Sequence, residues 1–151
     1  MGQLLGANKR EEAIEKNRQL LFFSVSVTAV IGLVMTLFAG VFPDIYNTEE
    51  EVKSLAAAFI IISSIILPAN AYCHSGYFTI RSGGRTKIIL MMDIGFTYFF
   101  VIPLAFILSR FTSIPPISLY AIVQGAELVK CVIVYLILRS GSWAKNIVDN
   151  I

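Results

Sequence analysis

Charge falls along this chain in short clusters, and long apolar runs separate them. Between Arg18 and Asp44 lie 25 residues without a Lys, Arg, Asp or Glu, and between Lys53 and Arg81 lie 27. The 22 residues between Lys87 and Arg110 hold one acid, Asp93. The 28 between Arg110 and Arg139 hold only Glu127 and Lys130. About 20 apolar residues cross the hydrocarbon core as a helix, so every run is long enough. The pattern predicts four transmembrane helices over residues 20–42, 54–80, 88–109 and 118–138. The runs show no two-residue alternation and are about twice as long as a barrel strand. In lipid the backbone must satisfy its own hydrogen bonds, which a helix does within one segment.

The polar connections support these limits. Thr48 and Glu51 have capping-box spacing, and Glu49, Glu50 and Glu51 put negative charge at a helix N-terminus. Pro116 suits a first helical turn, where its missing N–H costs nothing. The stretch Arg81-Ser-Gly-Gly-Arg85 reads as a tight turn. Asn8 with Glu11 predicts a short charged helix over residues 9–19, in which Glu12 and Lys16 form an i,i+4 pair. The chain thus divides into a cytoplasmic loop and short helix, 1–19, and a four-helix membrane segment, 20–151. The charged stretch before the first span is not a signal segment.

Composition agrees: 56% of the 151 residues are hydrophobic and 15% charged, against roughly 25% charged in soluble domains. This excludes a soluble single-core enzyme, a disordered segment and a basic nucleic-acid binder. The net charge of +2 says little about partners, but the placement of the cations is informative. Lys9, Arg10, Lys16, Arg18, Arg81, Arg85, Lys87, Arg139 and Lys145 fall on one side of the membrane. Lys53 and Arg110 fall on the other, with Asp44 and the glutamates. The positive-inside rule then puts both termini in the cytoplasm.

Ionisable groups inside a membrane are costly and are either functional or paired. At 1.5 Å per helical residue, Asp93 lies about 8 Å, His74 about 9 Å and Lys130 about 12 Å from the cytoplasmic ends of their spans. Glu127 is one turn deeper and i,i+3 to Lys130. Asp93, Glu127 and Lys130 are therefore expected to form a buried charge network. It either locks the third and fourth spans together or lets protonation or cation binding at a carboxylate bias two conformations. Pro68 and Pro103 each remove a helical hydrogen bond and are candidate kinks or hinges. Pro68 frees the Ser64 carbonyl just before Asn70, Tyr72 and His74, which become candidate pathway lining in the manner of broken transporter helices. A static kink satisfied by Ser63, Ser64 or neighbouring helices is the alternative.

Catalytic chemistry finds little support. Cys73 and His74 are helix neighbours and do not share a face. Zinc-ligand spacings are absent, with one histidine in the chain. Cys73 and Cys131 read as small apolar packing residues. Gly83-Gly84 lacks phosphate-loop spacing. Phe22, Phe23, Phe42, Tyr46, Tyr120 and Trp143 are placed as interface anchors, and Tyr98-Phe99-Phe100 as packing. No catalytic residue, resident cofactor or metal site is expected.

Several segments in order resemble the multidrug and toxic compound extrusion (MATE) family. Gly6-Ala-Asn-Lys-Arg-Glu-Glu-Ala13 is similar to its GA-x-K-x-x-x-A loop. Ile80-Arg-Ser-Gly-Gly-Arg-Thr86 is similar to its LR-x-x-G-x-T loop, with Ile80 in place of leucine. Asp93 and the Ile102-Pro103 step resemble the following helix. Glu127-Leu-Val-Lys130 and Arg139-Ser-x-x-Trp143-x-Lys-Asn146 resemble the final helix and tail. The resemblance implies an all-α membrane protein whose four helices are the last part of a twelve-helix, two-lobe transporter. Such transporters export drugs and organic cations in exchange for sodium ions or protons. It implies as partners the bilayer, eight further helices and small amphiphilic or cationic substrates, with no nucleic acid. It also implies a multi-pass protein of the cell membrane, with the coupling-ion site mostly outside this chain. In some branches an acid stands where Asn70 is, and an amide there cannot exchange a proton. The chain is expected to be a fragment, a late start or a truncated frame, inactive alone. A lipid-linked-sugar flippase and a free-standing four-helix scaffold or partner subunit are the alternatives.

Overall fold

The computed structural model describes residues 2–141, 143 and 144. Lys145 and Asn146, used in the orientation count and the tail motif, lie outside the described residues. Seven α-helices follow one another: α1 (Gly2–Gly6), α2 (Arg10–Phe38), α3 (Val41–Asp44), α4 (Glu50–Ser82), α5 (Thr86–Phe96), α6 (Ile102–Phe111) and α7 (Pro116–Arg139). A π-helical turn, Thr97–Val101, joins α5 to α6 without a break. Four helices are long and apolar enough to cross a membrane: α2, α4, the continuous stretch Thr86–Phe111, and α7.

The four predicted spans fall on these helices, with two shifts at the ends. The charged stretch and the first span are one helix of 29 residues, not two elements. At 1.5 Å per residue it is about 44 Å long, so its charged turns stand clear of a ~30 Å hydrocarbon core. The apolar run then leaves the helix at Phe38, four residues early. Gly40 and Pro43 interrupt it, and α3 turns the chain.

Two capping expectations are corrected. Helix α4 begins one residue later than the Thr48 box requires. Glu49 is its N-cap, and no side chain caps it. Glu50 instead accepts a hydrogen bond from Lys53 at 2.8 Å. Asn8 adopts φ 58°, a left-handed conformation that Asn tolerates, and Lys9 becomes the N-cap of α2. From there Lys9 reaches Glu12 at 3.2 Å and Arg18 reaches Glu15 at 2.9 Å. Among the described residues the predicted Glu12–Lys16 pair is not made. Pro116 does open α7, and Arg81-Ser-Gly-Gly-Arg85 is a tight turn with Gly84 at φ 78°.

Helix α4 is central, packed against α2 on one side and α7 on the other. Backbones approach closely at small residues, as membrane helices require. A Cβ on Gly32 of α2 would lie 2.6 Å from the Ser64 carbonyl oxygen of α4. One on Gly76 of α4 would overlap Val134 Cγ1 of α7. Hydroxyls and amides add a polar seam between α2 and α4. Thr79 Oγ1 donates to Asn17 Oδ1 at 2.5 Å, and Ser75 Oγ to Ser24 Oγ at 2.9 Å. Between α4 and α7, Ser63 and Tyr120 hydroxyls meet at 2.7 Å.

One end of the bundle is closed by an apolar cluster of Leu5, Ala13, Cys73, Tyr77, Ile80, Val134, Trp143 and Ala144. It joins the first helix to the segment after α7, and Arg10 at the start of α2 adds a further tie by donating to the Gly141 carbonyl at 3.1 Å. Trp143 is therefore fully buried and not an interface anchor, because α1 and α4 fold over it. Tyr120 is likewise half-buried, held by Ser63 and by the Phe59 ring at 4.6 Å. Conversely, Tyr98, Phe99 and Phe100 face outward, on the side of the third span away from the face that carries Asp93 and Thr97 toward α7. Apolar exposure of this kind suits a bilayer as solvent.

Candidate functional site

The third span leans on the rest of the bundle through one polar cluster. Asp93 and Phe96 of α5 and Thr97, the first residue of the π-turn, follow i, i+3, i+4 spacing and share a face. On α7, Glu127 and Lys130 are one turn apart. The Lys130 ammonium meets Glu127 Oε2 at 2.9 Å and Asp93 Oδ1 at 3.2 Å, and donates to Thr97 Oγ1 at 3.3 Å. Three donors thus have three acceptors. Nζ also lies 5.4 Å from the centroid of the Phe96 ring, within cation–π range.

Exposure across the cluster is graded. The Lys130 side chain is 6% exposed, Glu127 28% and Asp93 55%. The cation is therefore enclosed while one carboxylate looks outward from a membrane-spanning helix. With two carboxylates and one ammonium, the cluster carries one negative charge in excess.

The structure thus brings Asp93, Glu127 and Lys130 together. It does not bring His74 to them. His74 shares their depth but is exposed, its ring edge-on to Tyr77 at 6.0 Å. Asn70 is half-buried, and half-buried Tyr72 packs against the apolar cluster. Helix α4 stays helical through Pro68. Ahead of Pro103 the helix widens into the π-turn, which ends at Val101, two residues before the ring that cannot donate. Cys73 is buried in the apolar cluster, and Cys131 donates to the Ala69 carbonyl at 3.2 Å.

Two participants carry no signal that the sequence reading used. Thr97 and Phe96 can be found by walking one turn along the helix from Asp93. Tyr77 carries a buried hydroxyl with no hydrogen-bond partner among the described residues, and no local pattern marks it.

The MatE family model matches residues 1–107, covering α1 through the first half of α6 and including Asp93, Phe96 and Thr97 but not Glu127 or Lys130. No curated protein and no solved structure matches the chain. With the two loop motifs at the turns where the helices change direction, and with more than two thirds of its length matched, the chain belongs to the MatE family, the multidrug and toxic compound extrusion transporters.

Proposed function

We propose that these four spans work as part of a MATE-type secondary antiporter. It exports drugs or organic cations in exchange for sodium ions or protons and is not an enzyme. The observation that carries this reading is the enclosed Lys130 held by carboxylates from two different spans. Such a link can be made and broken as a coupling ion binds, which is what an ion-driven rearrangement needs.

The outward-facing Asp93 carboxylate supports cooperation with further helices. A charged group cannot be left against lipid tails without a cost of several kcal/mol. Its open side therefore meets protein or a water-filled path in the working transporter. Alternating access also needs two halves moving around a shared site, so these spans alone are inactive. The cation-rich 81–87 turn and the N-terminal stretch lie in the cytoplasm by the positive-inside rule, in a cell membrane.

The test is transport of a fluorescent organic cation by the transporter in proteoliposomes with imposed proton or sodium gradients. Uptake driven by either gradient, and lost in Asp93→Asn, is the expected outcome. Efflux that persists unchanged without any gradient overturns antiport. Labelling of single cysteines at positions 47 and 84 from the two sides of the membrane tests the orientation. Position 84 is expected to react only from the cytoplasm.

A further inference from the structure

A groove of about 540 Å³ runs between α2 and α4, within the range of small-molecule sites. Leu20, Phe23 and Phe78 form its walls and are more than half exposed. Asn17 and Thr79 lie at its floor, 5% and 6% exposed. Asn17 presents one amide atom to Thr79. Its other amide atom makes no hydrogen bond among the described residues, and Asn17 lines the groove. A side chain this buried leaves such an atom open at a cost, unless something in the groove meets it.

The mouth of the groove carries charge. Lys16 is one turn before Leu20 on α2, and Arg81 is three residues after Phe78 on α4, so both stand beside the exposed walls. Neither makes an ion pair among the described residues. The nearby acids are engaged elsewhere, Glu12 by Lys9 and Glu15 by Arg18. The charged turns of α2 end where the apolar run begins, which sets the mouth at the membrane–water boundary. Apolar walls, a polar floor near the boundary and two cations above it follow the order of a phospholipid: chain, ester, phosphate.

We propose that this groove binds one phospholipid with an anionic headgroup. An acyl chain lies between Phe23 and Phe78, a glycerol-ester oxygen meets the Asn17 amide, and the phosphate meets Lys16 and Arg81. The experiment is native mass spectrometry of the detergent-purified transporter titrated with phosphatidylglycerol or phosphatidylcholine. Preferential retention of phosphatidylglycerol is expected. The double variant Lys16→Ala with Arg81→Ala is expected to weaken it roughly tenfold to thirtyfold, at about 1 kcal/mol per cation. Both side chains are on the surface, so the fold is not at risk. Val27→Phe, at an exposed wall position, fills the groove and is expected to abolish retention. Equal retention of the two lipids, or unchanged retention in either variant, overturns the proposal. So does a photoreactive group at Phe78 that crosslinks to another helix in place of lipid.

Discussion

Gly32 faces the Ser64 carbonyl so closely that a methyl group there would lie 2.6 Å from its oxygen. That carbonyl is the one Pro68 leaves without its usual helical donor, since residue 68 has no N–H. The proline and the glycine, on different spans, are thus linked. The freed oxygen faces the bare backbone of Gly32, as small residues allow where membrane helices approach closely.

Gly32→Ala is therefore expected to destabilise the α2–α4 pair by about 1–3 kcal/mol, the usual cost of overpacking, because backbone cannot yield as a side chain can. Gly95→Ala provides the contrast. A methyl group at that position in the third span would meet no atom within 4 Å, and alanine is the better helix former by up to ~1 kcal/mol. Thermal unfolding in detergent checks both. Equal melting temperatures for the two variants would contradict the close approach.

At Gly76 the obstacle is a side chain, the Cγ1 methyl of Val134. Gly76→Ala alone is expected to lower stability by about 1–3 kcal/mol. Adding Val134→Ala is expected to recover much of that loss, since the second change removes the clashing methyl. The double-mutant cycle gives the coupling directly. Strict additivity would mean that α4 and α7 do not touch there.

Lys130→Met removes the cation from between two carboxylates. The expected loss is about 3 kcal/mol, at the low end for a broken buried pair because Asp93 keeps half its surface. Combining it with Asp93→Asn and Glu127→Gln is expected to restore most of the stability, since no uncompensated charge remains. If Asp93→Asn and Lys130→Met show no coupling in a cycle, the third span is not held by this pair.

Trp143→Ala empties the centre of the apolar cluster. A loss of roughly 3–5 kcal/mol is expected, as for other buried aromatics. The N-terminal residues through Leu5 should also become sensitive to limited proteolysis, because Leu5 rests in the same cluster. Phe22→Ala, at an exposed position, is expected to leave both readouts unchanged.

The four spans are legible in the sequence because hydrocarbon imposes length and composition on any helix that crosses it. Their ends are less so. The Thr48 box fails by one residue, since three consecutive glutamates offer nearly equivalent starts for α4. The Asp93–Lys130 link can be anticipated from depth alone, because two charges at one level in lipid have few alternatives to each other. Depth puts His74 at the same level but carries no information about which way a helix is turned, and His74 stands exposed beside Tyr77, apart from the cluster. Residue type alone sends Trp143 to the interface. Its burial depends on α1 folding over it, a contact between the two ends of the chain that no local pattern encodes. The groove between α2 and α4 is likewise tertiary: Asn17 and Thr79 are 62 positions apart.

The π-turn at Thr97–Val101 also sets the phase of the third span. One residue added to an α-helix rotates everything beyond it by about 100°. The face that carries Asp93 and Thr97 toward α7 is therefore not continued by the residues at the same wheel angle in α6. A helical wheel drawn straight through this span assigns its second half to the wrong side. Deleting a single residue within the turn would return it to α-helical winding and leave α6 presenting the same residues to the same side, whereas a deletion anywhere in α6 itself would re-aim all that follows by about 100°.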